Sequence, residues 1–234
     1  MKLVTYNVHK CRGLDGRTDP ARIAGVLAEI NADVVALQEV FSSENGQPGQ
    51  IEIIAQTLKL HVAFGCARYV MEWPYGNAIL SRWPIAAFEH LDLSWKRRER
   101  RGCLRADIQT PRGRLHILNT HLGTSYFERR HQVRSLFALR QLDHGIEGPR
   151  VLVGDFNEWT RGLATRMIKE KFESLDVRLH LRKARSYPGV LPLVHLDHIY
   201  FEKPLHIERA ELISTRQAKI ASDHLPLVAN FSWK

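Results

Sequence analysis

Short apolar runs separated by polar and turn-forming residues recur along the whole chain, and they predict alternating strands and helices. Leu3 to Val8 opens as a β-prone segment. Thr18-Asp19-Pro20 is a helix start, with a capping residue ahead of a proline at the first helical position. Ile23, Val26, Leu27 and Ile30 follow at helical spacing and make one apolar stripe. Asp33-Val34-Val35-Ala36-Leu37 then reads as a buried strand, and a second helix is expected around Gln50 to Leu60. Strands are expected at about His61 to Cys66, Gly76 to Ser81, Ile85 to Leu93, Cys103 to Gln109 and Leu115 to Thr120. With a turn at Pro111-Arg112-Gly113, this middle section reads as an antiparallel meander. Phe127 to His144 is a polar-rich amphipathic helix that turns Val133, Leu136, Phe137 and Leu139 inward. Buried strands follow at Val151-Leu152-Val153, Leu196 to Phe201 and Leu225 to Phe231. The order of elements suggests an α/β (α+β) fold of two packed sheets with helices outside.

Composition adds limits to this outline. No Pro-, Ser- or Gly-rich linker and no repeat divides the 234 residues, so one domain over 1–234 is expected. A hydrophobic share of 44% and a charged share of 25% exclude wholesale disorder. No apolar run is long enough for a membrane-spanning helix, and the first residues lack a signal-peptide pattern. Cys11, Cys66 and Cys103 cannot all pair within the chain and form no Cys-x-x-Cys, which argues against a disulfide framework or a cysteine zinc site. A reduced, cytoplasmic protein is the expectation, as a monomer.

Charge is the feature that points to a partner. The net charge is +9, and Trp95 to Arg101 carries five basic residues and one acid, a net of +4. Arg178 to Arg185 carries four basic residues and no acid, again +4. Such clusters suit a polyanion, whether nucleic acid or an anionic membrane surface, and they equally suit solvated loops.

Polar residues able to do chemistry fall at the ends of the expected strands, where loops at a sheet edge converge. They are Asn7, Gln38-Glu39, His121, Asp155-Phe156-Asn157, Asp197-His198 and Ser222-Asp223-His224. Each alone reads as a turn residue. Together, carboxylates and Asn oxygens make a hard-oxygen set suited to Mg²⁺ or Mn²⁺, and imidazoles beside such a metal can move protons. Asn77 either lines that site or bonds loop backbone. Glu128-Arg129-Arg130 reads as a solvated helix face, with an arginine reaching substrate phosphate as the alternative, and Cys11 has no partner that would activate a thiolate.

The ordered series Thr5-Tyr6-Asn7-Val8, Leu37-Gln38-Glu39-Val40, Tyr75 to Ser81, Asn119-Thr120-His121-Leu122, Gly154-Asp155-Phe156-Asn157, Leu196-Asp197-His198-Ile199 and Ser222 to Pro226 resembles the endonuclease/exonuclease/phosphatase superfamily. DNase I, abasic-site endonucleases, neutral sphingomyelinases and inositol polyphosphate 5-phosphatases belong to it. The resemblance implies a four-layer, DNase I-like α/β sandwich with mixed sheets, and divalent-metal-dependent phosphoester hydrolysis. It implies Glu39 as the principal Mg²⁺ ligand (or Mn²⁺), with Asn7 and Asp223 beside the metal. His224 resembles the catalytic histidine and Asp197 the carboxylate that orients it. Asp155 resembles the group that positions or deprotonates water, Asn157 the holder of a phosphoryl oxygen, and His121 the second histidine of the DNase I and sphingomyelinase branches. Asn77, Arg100 and Arg101 are candidates for substrate binding. Val40-Phe41 stands where abasic-site endonucleases carry Thr-Lys, which disfavours that specificity. A nuclease-like phosphodiesterase is the first expectation, a lipid or small-molecule phosphoesterase the second, and a silent polyanion-binding module the third.

Overall fold

The computed structural model describes residues 1–138, 147–159, 162–174, 185–189 and 193–233. Twelve strands form two six-stranded sheets. The first sheet has the order β11-β12-β1-β2-β4-β3, built from β1 (Lys2–Asn7), β2 (Val34–Phe41), β3 (His61–Val70), β4 (Trp73–Ser81), β11 (Leu205–Leu212) and β12 (Leu227–Trp233). The second has the order β5-β6-β7-β8-β10-β9. It contains β5 (Ile85–Asp92), β6 (Gly102–Thr110), β7 (Gly113–His121), β8 (Arg150–Asp155), β9 (Glu173–Ser174) and β10 (Asp197–Phe201). The sheets face each other across Leu3, Ile79, Leu104, Ile117, Val153 and Phe231. Helices α1 (Pro20–Ile30), α2 (Gln50–Leu58) and α5 (Arg216–Ala221) lie on the outer side of the first sheet. Helices α3 (Tyr126–Ala138) and α4 (Leu163–Lys169) cover the second. The result is the four-layer α/β sandwich expected from the sequence.

Local chemistry explains the elements that matter for the site. Helix α1 starts where expected because the Asp19 side chain accepts the Arg22 N–H and Pro20 follows at the first turn. It stops at Asn31, whose left-handed conformation an asparagine tolerates. Strands β1 and β2 pair in parallel, as do β7 and β8, and every other pairing is antiparallel. Each sheet thus holds one parallel pair, and the carboxyl ends of these four strands lie at one end of the sandwich.

Several expectations need correction. The meander is two separate units, because β3–β4 joins the first sheet while β5–β6–β7 begins the second. Strand β11 was not expected: Leu205–Leu212 alternates weakly and only Leu205 and Ala210 are buried. The short helices α4 and α5 were also missed, since two turns leave little periodic signal. Helix α3 buries Val133 and Leu136 as expected, but also Glu128, Arg129 and Gln132, so the Glu128-Arg129 face is not solvated. Arg129 donates to the carbonyls of Gly123 and Thr124, and the Gln132 amide oxygen accepts the Gly123 N–H. These bonds brace the turn that follows His121. Leu139 to His144 lies outside the described residues, as does Arg178 to Ala184 of the second basic segment.

Candidate active site

The ends of β1, β2, β7 and β8 bring Asn7, Glu39, His121 and Asp155 into one cup. Glu39 enters it through a bulge. The β2–β4 register shifts between Leu37 and Val40, and Glu39 takes a φ of 59°. An extra residue of this kind re-aims a side chain, so Glu39 faces the cup while its neighbour Gln38 faces the other sheet. There the Gln38 amide donates to the Asn119 side-chain oxygen at 2.7 Å. Gly154, at φ 135°, is required for close packing. A Cβ at this position would lie 1.8 Å from the Thr120 carbonyl oxygen on the adjacent strand.

Asn7 ties the carboxylates together, its Nδ2 donating to Glu39 Oε1 at 3.3 Å and to Asp155 Oδ2 at 3.1 Å. Burial pushes the Glu39 carboxyl up, but the hydrogen bonds of Tyr75 and Asn7 pull the other way and hold it below the ordinary carboxylate range. Asp155 is the opposite case. Burial dominates, the neighbouring Asp197 adds to it, and the carboxyl rises to about 6 against the pull of His224. Its Oδ1 accepts the Asn157 N–H at 2.9 Å, which leaves Oδ2 facing both histidines.

The two histidines differ in their supports. His224 Nδ1 donates to Asp197 Oδ2 at 2.9 Å, so Nε2 points into the cup, 3.7 Å from Asp155 Oδ2. Burial favours the neutral ring, yet Asp197, with Asp155 and Asp223 behind it, wins and raises His224 to about 10. Tyr187 packs over this ring, with centroids 4.9 Å apart. Burial pushes His121 well below the ordinary range, and the Arg101 charge pushes the same way. Arg101 can only donate, and its Nη1 lies 2.8 Å from His121 Nδ1. The neutral ring therefore accepts at Nδ1 and carries its proton on Nε2, 3.5 Å from Asp155 Oδ2. Asn157 Nδ2 lies 3.0 Å from that same nitrogen and also donates to the Leu122 carbonyl.

Asp223 is partly exposed beside the cup. Its Oδ1 accepts the Ser222 hydroxyl at 3.3 Å and lies 3.6 Å from His9 Nδ1. Glu39, Asp223 and the Asn7 amide oxygen offer only hard oxygen donors. Among the described residues, no three His, Cys, Asp or Glu side chains form a closed metal cage. An open set of one or two carboxylates, one of them firmly ionised, fits Mg²⁺, which keeps several waters and shares substrate oxygens.

Asn77 does not line the cup. Its Nδ2 donates to the Gly102 and Asn119 carbonyls, at 3.2 and 3.3 Å, so it joins the two sheets. Arg100 is exposed, 3.8 Å from Asp92, while Arg101 reaches the cup. Sequence reasoning missed Tyr75, which hydrogen-bonds Glu39, and Tyr187 over His224. Tyr75 stands two positions before Asn77 in a quoted motif, so alternation along β4 was the available signal. Burial raises the Cys11 thiol to about 12, in keeping with an inert core cysteine.

Residues 4–224 match the Endonuclease/Exonuclease/phosphatase family. YbhP of Escherichia coli K12 is 31% identical, with 97% of this chain and 94% of YbhP aligned. The mannosyl-6-phosphatase Bt3783 of Bacteroides thetaiotaomicron superposes with a TM-score of 0.82 at 18% identity, covering 100% of both chains. The human Nocturnin catalytic domain with a bound sulfate anion gives a TM-score of 0.80 at 18% identity, covering 100% of this chain and 93% of that one. With its sandwich and its cup at the strand ends, the chain belongs to the Endonuclease/Exonuclease/phosphatase family, whose members hydrolyse phosphoesters.

Proposed function

We propose that the protein is a divalent-metal-dependent phosphodiesterase. The observation that carries this reading is Asp155 Oδ2, placed 3.5 and 3.7 Å from the Nε2 atoms of His121 and His224, one ring neutral and the other cationic. A phosphodiester is anionic and resists attack, so its hydrolysis needs positive charge held where the phosphoryl oxygens gain charge.

His224 meets that need. Its imidazolium donates from Nε2 to a phosphoryl oxygen while Asp197 keeps Nδ1 occupied. Asp155, ionised above about pH 6, accepts the proton of the attacking water. His121 Nε2 and Asn157 Nδ2 lie 3.0 Å apart at one edge of the cup, where either can donate to a bound phosphoryl oxygen. Arg101 locks the His121 tautomer and adds charge at the same edge. Glu39 and Asp223, with Asn7 beside them, would hold a divalent ion, Mg²⁺ or Mn²⁺, which when bound would supply the remaining charge neutralisation.

The test is turnover of an aryl phosphodiester with Mg²⁺, Mn²⁺ or excess chelator, with the matching monoester alongside. Diester turnover that chelator stops and His224→Ala abolishes is the expected result. Near-normal turnover in His224→Ala, or in chelator, would overturn the assignment. The basic segments, of which Trp95 to Arg101 and Arg185 lie among the described residues, favour a polyanionic substrate.

A further inference from the structure

Nine large hydrophobic side chains are exposed among the described residues, and seven of them stand on loops or element tips at the catalytic end. Tyr69 and Met71 sit at the β3–β4 turn, and Met71 is 90% exposed. Tyr126 and Phe127 begin α3, directly after the His121 turn. Trp159 follows Asn157 by two residues, and Leu14 and Leu193 lie in the loops after β1 and before β10. The remaining two, Val62 and Phe88, lie within strands away from this end. Scattered apolar residues need no explanation, but their segregation around one cup does.

The same rim carries the densest positive charge. Trp95 to Arg101 connects β5 to β6 and ends with Arg101 on His121. Lys96, Arg97, Arg98 and Arg100 are exposed, with Lys96 Nζ 4.4 Å from the Trp95 ring centre. The one acid of this segment, Glu99, is held between Arg68 and Arg101. Glu72 at the β3–β4 turn and Asp92 beside Arg100 are further acids near the rim, and the basic segment exceeds them.

Apolar tips ringed by cations suit an anionic bilayer, where the tips enter the headgroup layer and the cations meet its charge. Stacking on nucleic acid bases would use the aromatic tips, but Met71, Leu14 and Leu193 have no π-face to offer. We propose that the catalytic end docks on an anionic phospholipid surface, and that the diester it hydrolyses is presented there in a lipid headgroup. The second clause rests on the phosphodiesterase reading.

The experiment is flotation of the full chain, in chelator so that nothing turns over, with vesicles of phosphatidylcholine alone or mixed with phosphatidylglycerol. Binding to the mixed vesicles is expected. The triple variant Lys96→Gln, Arg97→Gln, Arg98→Gln should weaken it about fivefold per charge, roughly a hundredfold in all. Met71→Ser with Phe127→Ser should weaken it by about tenfold or more. Both variants should turn over a soluble aryl phosphodiester at the parent rate. Absence of flotation, flotation indifferent to both variants, or displacement from vesicles by single-stranded DNA at equal phosphate would overturn the proposal. Loss of aryl diester turnover with flotation intact would instead count against the phosphodiesterase reading.

Discussion

Gln38 and Glu39 are consecutive in β2, yet they belong to regions with opposite physics. Gln38 joins an inter-sheet belt in which its amide N–H groups meet Thr5, Ala36 and Asn119. Asn119 returns two bonds to the carbonyls of Leu37 and Ala78. Every amide donor named there has an acceptor. Around Glu39 the groups are equally buried but held away from their ordinary protonation. Asp155 sits at about 6, His224 at about 10, and the buried Asp197 Oδ1 has no hydrogen-bond partner among the described residues. The belt's amide donors are matched to acceptors and stiffen the core, although Gln38 Oε1 also has no partner among the described residues. The cup's groups are instead held away from their ordinary protonation and are poised to bind and to move protons.

That contrast can be broken by experiment. The largest effect belongs to the cup. His224→Ala should lower kcat/KM by about a thousandfold or more without changing the denaturation midpoint by a comparable amount. Asn119→Ala should do the reverse, costing about 3 kcal/mol in urea unfolding because several buried partners lose their bonds together. Turnover by its folded fraction should stay near the parent value. Glu39→Gln should raise the Mg²⁺ concentration for half-maximal activity by roughly tenfold, read by metal titration.

The pH profile sharpens the same contrast. The Asp155 carboxylate is lost as pH falls through about 6, and the His224 imidazolium is lost as pH rises through about 10. Log kcat/KM should therefore be flat between these values and fall with unit slope on each side. Loss of activity as pH rises through the ordinary histidine range, well short of 10, would contradict the Asp197–His224 arrangement. The smallest effect concerns Asn77→Ala, which should cost about 1 kcal/mol of stability and leave KM unchanged, because its donors serve the sheets.

The strands that build the cup were legible because they are buried runs that end in polar residues, as at Val151 to Asp155. Strand β11 was not, because an edge strand with one covered face carries little pattern. Asn77 and Arg129 show the limit most clearly. An amide or a guanidinium within a polar stretch has the same identity whether it faces substrate, solvent or a backbone carbonyl, and only packing decides which acceptor it reaches.

The amino-acid order by itself determined the family and most of the alternation of strands and helices, because motifs and periodicity are local features, and through the family resemblance it named the candidate set Asn7, Glu39, His121, Asp155, Asn157, Asp197, Asp223 and His224. Tertiary structure alone decided how they differ. Asn7 and Asp155 are 148 residues apart and meet through one hydrogen bond, and the β2 bulge separates the Gln38 belt from the Glu39 cup. Burial and the charge of distant neighbours then set each group's protonation, and those depend on what the folded chain places within a few ångströms.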